Sequence, residues 1–505
     1  MARLSGKEDK TFAAFRANVD IFISHSKDDT EFADRYWRQL DEAGFKNAWT
    51  YENRISFGDE IDVTVRNRIE ECAFFILMVS RSSRDSPWVQ RELGLALKIS
   101  RLNGNLRPII IPISLPDGAE KVDLRPFPCK DYDTCDDLDE LYPLDKIRKF
   151  DQRTRADSLD FLIDMLTPKL LMAGTDISAG QELDNTGVFH LYESMFPPNE
   201  RIPTNRLKDL LSTANGDHFP LVRLRRKFGP FNIPRVYRFQ RETVMFVLVL
   251  GRQAIGFLIF NFNHKTRLFF GSYFGVDRNW RAYDIAQSII TAAKAKISSA
   301  KRYNGHLGFV FEVERIDFVA ATKLIDKLKS ESHRKDNFDT IIDYSKYEYN
   351  EDEHIDADVE VVRKFLRIAL YSEMGAHLFV GDDNEPLQYI QPCMDLALAP
   401  ERWPTAESKL WLMFVFPEKK EDTSDVRALW RRVVDFLIVE HMGKTYARYT
   451  PHIGANYLKY TERLRDGVFK ATRSKGARLV KPSDRHSTLR ALAGQWAALR
   501  IRIKL

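Results

Sequence analysis

Between residues 20 and 115 the apolar positions fall into two alternating rhythms. A short apolar run at 21–24 follows Asp20. Phe32, Tyr36 and Leu40 then recur every four residues, the spacing of one helix face, until Gly44 stops the pattern. A brief strand near 48–50, a polar loop through Gly58, and a second stripe of Ile61, Val65 and Ile69 come next. The run 73–80 (AFFILMVS) is apolar throughout, which suits a strand buried on both faces. A helix carrying Trp88, Leu93 and Leu97 leads to a strand at 108–113. Strand and helix alternating in this way predict a parallel sheet with helices on both faces. Such sheets carry their functional groups in loops at the carboxyl ends of the strands.

Further along, 116–154 is rich in Pro and Asp, 157–171 reads as helix, and AGTDISAGQE at 173–182 reads as a linker. A mixed α/β pattern fills 183–445. It comprises a hairpin at 244–262, a strand at 267–276, a helix at 281–302 and a strand at 307–313. Helices near 318–331 and 357–373, strands at 376–380 and 409–417, and a helix at 424–445 complete it. Residues 332–356 read as a polar insertion, and no internal repeat is visible. The chain thus divides into an α/β domain at 18–172, the linker, a mixed α/β domain at 183–445 and an extension at 446–505.

Composition narrows the class. At 505 residues, 44% of them hydrophobic, the chain has apolar material for more than one core, which excludes a disordered or coiled-coil protein. Cys72, Cys129, Cys135 and Cys393 are too few for a disulfide framework in so long a chain, so a reducing compartment is expected. No CxxC or HExxH occurs, and the spacing of Cys129 and Cys135 matches no common zinc site; no metal is expected. The most apolar stretch, 244–260, is broken by Gly251, Arg252 and Gln253, and the N-terminus MARLSGKEDKTFAAF lacks a signal-peptide core. The expectation is a cytoplasmic protein with no membrane span. Residues 451–505 hold 13 Lys or Arg against 3 Asp or Glu, so a basic tail follows a body of net charge −5. Tyr457, Tyr460, Phe469 and Trp496 interleave with that charge, as in nucleic-acid binding. Leu489, Leu492, Trp496 and Leu499 form an apolar stripe that instead suits a docked helix or oligomer contact, and this second reading is preferred.

Four segments together, DIFISHSKDD (20–29), TYENRISFGDEI (50–61), FFILMVSRSS (74–83) and SPWVQREL (86–93), resemble a Toll/interleukin-1 receptor (TIR) domain. The resemblance implies a flavodoxin-like fold. Phe57 departs from it, standing where many relatives have Pro. TIR domains are either adaptors or enzymes that cleave NAD⁺ at the nicotinamide–ribose bond, and in the enzymes a glutamate follows a tryptophan by four residues. Trp88 and Glu92 match that pattern. Nicotinamide leaves as a neutral molecule, so the reaction asks for stabilisation of an oxocarbenium-like ribose, which a fixed carboxylate supplies. Glu92 is therefore the expected catalytic residue, and Trp88, Ser26, Lys27, Arg54 and Ser56 the expected NAD⁺ contacts. Helix composition alone would read Glu92 as an ordinary acidic residue of a first turn, favoured by the dipole.

A second set of segments resembles the GNAT acetyltransferases: LYESMFPPNERIP (191–203), RLFFGSYFGVDRNWR (267–281), FLRIALYSEMGA (365–376), YIQPCMD and KLWLMFVFP. The resemblance implies a base at Glu314, with Glu312 on the same face by the period of two, and a general acid at Tyr371. The coenzyme A turn departs from the family. It reads Arg281, two residues, Asp284, one residue, Ala286, where the family needs glycine. Asp284 would oppose a pyrophosphate by about 3 kcal/mol at 5 Å and an effective dielectric near 20. Acetyl-CoA is not expected, and the domain is read as a degenerate scaffold, sensor or assembly module. No cofactor is expected, NAD⁺ being the substrate. The leading reading is a regulated NAD⁺ hydrolase of bacterial antiphage defence, self-associating through its TIR domain and triggered by a protein or ligand at the GNAT-like domain. A cyclase forming cyclic ADP-ribose, a non-enzymatic adaptor and an N-acetyltransferase are the alternatives.

Overall fold

The computed structural model describes residues 12–50, 61–102, 107–115, 163, 166–173, 181–196, 201–212, 221–228, 231–238, 241–251, 253–277, 279–280, 285–331, 357–387, 389–392, 410–417, 425–443, 451–473, 475–482 and 490–491. The chain separates into two units. The first comprises Met1–Leu170 together with Leu248–Ile255 and Val276–Ser288, and the second comprises the remainder.

In the first unit, β1 (Asp20–Ser24), β2 (Asn47–Trp49), β3 (Phe74–Val79) and β4 (Ile109–Ser114) form a parallel sheet in the order β2-β1-β3-β4. Its helices are α1 (Ala13–Asn18), α2 (Thr30–Glu42), α3 (Ile61–Glu71), α4 (Arg81–Asp85) and α5 (Pro87–Leu102). The continuous apolar run of β3 has its expected cause, because all six residues are buried. Phe75, Leu77 and Val79 share a core with Val65 and Ile69 of α3 and with Val89, Leu93 and Leu97 of α5. Phe22 stacks between Trp49 and Phe75, at 5.0 and 5.4 Å. Phe74, one position out of phase, meets Trp280 at 5.8 Å, and Trp280 meets Phe15 of α1 at 6.4 Å. Trp280 is 1% exposed, so the packing around Phe74 and Phe15 draws on a segment far down the chain.

An eight-stranded sheet follows, in the order β14-β12-β13-β11-β10-β9-β8-β5. Its strands are β5 (Lys169–Met172), β8 (Arg241–Leu250), β9 (Gln253–Asn263), β10 (Leu268–Val276), β11 (Gly308–Glu314), β12 (Ala376–Val380), β13 (Leu410–Val415) and β14 (Arg478–Val480). A separate two-stranded ribbon pairs β6 (Leu221–Phe228) with β7 (Phe231–Arg238). The helices are α6 (Gln181–Asp184), α7 (Val188–Met195), α8 (Thr204–Ser212), α9 (Ile285–Ser299), α10 (Phe318–Glu331), α11 (Ala357–Glu373), α12 (Val426–Val434) and α13 (Pro451–Ala471), with a π-helix at Asp435–Gly443. β10 and β11 run parallel, with α9 as the crossover a parallel pair requires. Their register extends from Leu268↔Gly308 to Gly271↔Phe311, although β10 continues to Val276 and β11 to Glu314. Over that last stretch β11 stays paired with β13 on its other side. At Gly271 the approach is close, for a Cβ there would lie 2.5 Å from the Phe311 ring.

Period-two alternation sorts this sheet's core. Phe269 stacks on Phe309 at 5.2 Å, with Phe260, Phe262 and Tyr303 beside them. Phe270, Val310, Leu412 and Phe414 instead pack with Trp430, Phe436 and Tyr457 of α12, the π-helix and α13.

Three expectations change. The helix expected over 157–171 gives way at its end to β5, because KLLM serves a strand as well as a helix. The helix expected at 424–445 is α12 continued by π-helical turns. The basic extension carries α13, whose Tyr457 and Tyr460 are buried, and β14, which pairs with β12. Leu489, Leu492, Trp496 and Leu499 lie outside the described residues.

Candidate active site

The carboxyl ends of β1 and β3 meet the start of α5. Pro87 opens that helix, where a residue without an N–H costs nothing. Trp88 and Glu92 follow one turn apart and so share a face. Ser24 is the last residue of β1 and is 1% exposed; Glu92 is 4% exposed. The Ser24 hydroxyl donates to Oε2 of Glu92 at 2.5 Å. Burial pushes the Glu92 carboxyl up to about 8, while the Ser24 hydroxyl and the Trp88 indole N–H pull the other way. Oε1 is buried and meets no donor at hydrogen-bonding geometry among the described residues. The Arg91 guanidinium lies 5.7 Å from the centre of the half-buried Trp88 ring.

A second buried carboxylate ties the neighbouring loops together. Asp29, 3% exposed, accepts hydrogen bonds at Oδ2 from the hydroxyls of Ser26 and Ser80, the latter at 2.6 Å. Ser80 is also the N-cap of α4. Its Oγ accepts the Ser83 N–H at 2.9 Å, and Ser83 Oγ accepts the Ser80 N–H at 2.8 Å. The loop after β1 is thereby tied to the loop after β3.

A model of the TIR domain family matches residues 21–143. These residues are a TIR domain. No curated protein matches the chain.

Within the TIR domain the expected site residues separate. Glu92 and Trp88 come together. Ser26 is buried with its hydroxyl committed to Asp29, and Lys27 is exposed at the start of the 3-10 turn Lys27–Asp29. Arg54, Ser56 and Phe57 lie outside the described residues. Ser24, Asp29 and Ser80 are polar groups of the site that sequence reading does not single out. Ser24 sits 68 positions from its partner, and nothing periodic marks it.

In the second unit, Glu314 ends β11 and lies 3.6 Å from Arg367 of α11. Tyr371, one turn after Arg367, stacks on Phe311 at 4.4 Å. Burial raises its phenol, and Arg367 pulls the other way. Glu314 and Tyr371 are thus gathered around one arginine. Glu312 accepts a 2.6 Å hydrogen bond from the buried Tyr389 hydroxyl, and burial pushes its carboxyl up to about 7. In the stretch 276–288, which groups with the first unit, Ala286 is half-buried in the first turn of α9, while Arg281 and Asp284 lie outside the described residues. No group of His, Cys, Asp and Glu with a metal-holding arrangement occurs among the described residues, and none of their helices is long and apolar enough to cross a membrane.

Proposed function

We propose that the TIR domain cleaves NAD⁺ at the nicotinamide–ribose bond and that Glu92 is its catalytic residue. One observation carries the reading: a buried carboxyl, held by Ser24 and beside Trp88, stands at the carboxyl end of a parallel sheet. The bond between ribose C1′ and the pyridinium nitrogen breaks with its electron pair going to nitrogen, and nicotinamide leaves neutral. Positive charge passes to the ribose ring, where an ionised Glu92 stabilises it. Water adds to C1′ and loses a proton, giving ADP-ribose. The raised carboxyl value suits this sequence, because a cationic substrate favours the ionised form only while it lies beside the carboxyl.

Residues 183–445 are read as a GNAT-like module that has lost acetyl transfer. The parallel β10–β11 pair, its α9 crossover and the Glu314–Arg367–Tyr371 group support the likeness. Asp284 in the phosphate turn speaks against acetyl-CoA. The module gates a defensive NAD⁺ hydrolase by binding a trigger or driving TIR self-association.

Chromatography of NAD⁺ incubated with the purified full chain, over a range of protein concentrations, tests the reading. Nicotinamide and ADP-ribose are expected to form, and Glu92→Gln is expected to slow turnover by about 10²–10³. A cyclic product would assign the cyclase reading. Turnover equal to wild type in a folded Glu92→Gln variant would place catalysis elsewhere.

A further inference from the structure

We propose that Ser24 is the positioning residue of this site: its hydroxyl holds Oε2 of Glu92, sets the orientation of the carboxyl group and reserves Oε1 for a ribose hydroxyl. The inference rests on the NAD⁺ reading above. Ser24 is itself well anchored. It ends a strand paired in parallel with β3, at the register Ser24↔Leu77, and both partners of its hydrogen bond are nearly out of water. A serine hydroxyl has one proton to give, and here it goes to Oε2. A glutamate side chain turns about three bonds, so a contact at its tip, made from a rigid strand, removes much of that freedom. Oε1 is a buried acceptor that meets no donor at strict bonding geometry among the described residues, although the Trp88 indole N–H acts on the same carboxyl. Such an atom is costly when dry, and a sugar hydroxyl brought to it by substrate would relieve it.

The same contact has an electrostatic side. The influences on the Glu92 carboxyl are burial, which raises it, and the Ser24 and Trp88 donors, which lower it. No charged side chain of the described residues is among them. Removing the Ser24 hydroxyl therefore does two things at once. It frees the carboxyl to turn, and it moves it further towards the neutral form, which cannot stabilise a cation. A serine with a merely structural part at the end of β1 would do neither.

The test uses the full chain with Ser24→Ala, Ser24→Thr and Glu92→Gln, each checked for a wild-type thermal transition. In the alanine variant kcat/KM for NAD⁺ at neutral pH is expected to fall by about tenfold to a hundredfold. The basic shift of its pH profile is expected to be about one unit, with the threonine variant, which keeps the hydroxyl, close to wild type. Infrared titration between pH 5 and 10 reads the same contact without turnover. The protonated-carboxyl band missing in Glu92→Gln reports Glu92, and its midpoint should rise in Ser24→Ala and return in Ser24→Thr. An unmoved midpoint in Ser24→Ala overturns the proposal, as does an unmoved pH profile. If Glu92→Gln silences the chain while Ser24→Ala is indistinguishable from wild type, the NAD⁺ reading stands and the role of Ser24 falls. Turnover that survives Glu92→Gln places catalysis elsewhere and removes Glu92, and with it Ser24, from the reaction, whatever the infrared midpoints show.

Discussion

Glu92 makes a stability statement that stands apart from its proposed role. Its carboxyl is raised from an ordinary value of 4.5 to about 8 by burial. Across that window the folded chain keeps a proton that the unfolded chain has released, so stability falls as pH climbs through it. Each unit of such a shift corresponds to about 1.4 kcal/mol, which makes the cost at pH 9 a few kcal/mol. Glutamine has the same shape and never ionises. Glu92→Gln is therefore expected to melt near wild type at pH 5 and several degrees higher at pH 9, as followed by calorimetry. Equal melting temperatures at both pH values would mean that the carboxyl is not held in a dry site. A variant that is silent yet sturdier is the mark of a residue kept for chemistry at the expense of the fold.

Among the elements, the turn between β3 and α4 is tied by several buried polar contacts. Ser80 accepts a backbone N–H as helix cap and donates to Asp29 with the same oxygen. Ser80→Ala removes a cap of about 1 kcal/mol and takes a donor from a buried carboxylate, a further 1–3 kcal/mol. Denaturant titration of the full chain is expected to show a loss of about 2–4 kcal/mol in the first transition. A loss below about 0.5 kcal/mol would show that water replaces both contacts. Elements also show what sequence could reveal. The parallel strands were legible because burial on both faces writes an unbroken apolar run, as in FFILMV at β3. Trp88 and Glu92 were legible because helix spacing and family resemblance coincide there. The ribbon of β6 and β7 was not, since Arg223, Arg225, Arg226 and Lys227 interrupt any apolar alternation. β14 is three residues long and becomes a strand only through β12. Ser24 and Asp29 owe their meaning to partners that only the folded chain brings near.

At the scale of the molecule, the first unit is assembled from three stretches of chain. Trp280 fills its core against Phe15 and Phe74. Arg107, after α5, donates to the carbonyls of Cys72 and Asn279 at 3.2 and 3.4 Å. Trp280→Ala in the full chain is expected to destabilise this unit by about 3–5 kcal/mol, read from thermal or denaturant unfolding. A fragment ending at residue 172 lacks the indole altogether and should melt at least as low as that variant; a fragment as stable as the full chain would show that Trp280 adds nothing. The arrangement also sets a clock during synthesis. Ile109–Ser114 completes the parallel sheet, yet the ribosome must add more than 160 further residues before Trp280 exists. At about 5–20 residues per second, that is a delay on the order of ten to thirty seconds. Through that interval the nascent sheet waits with an aromatic gap on one face, a form that hydrophobic surfaces elsewhere in the cell can recognise.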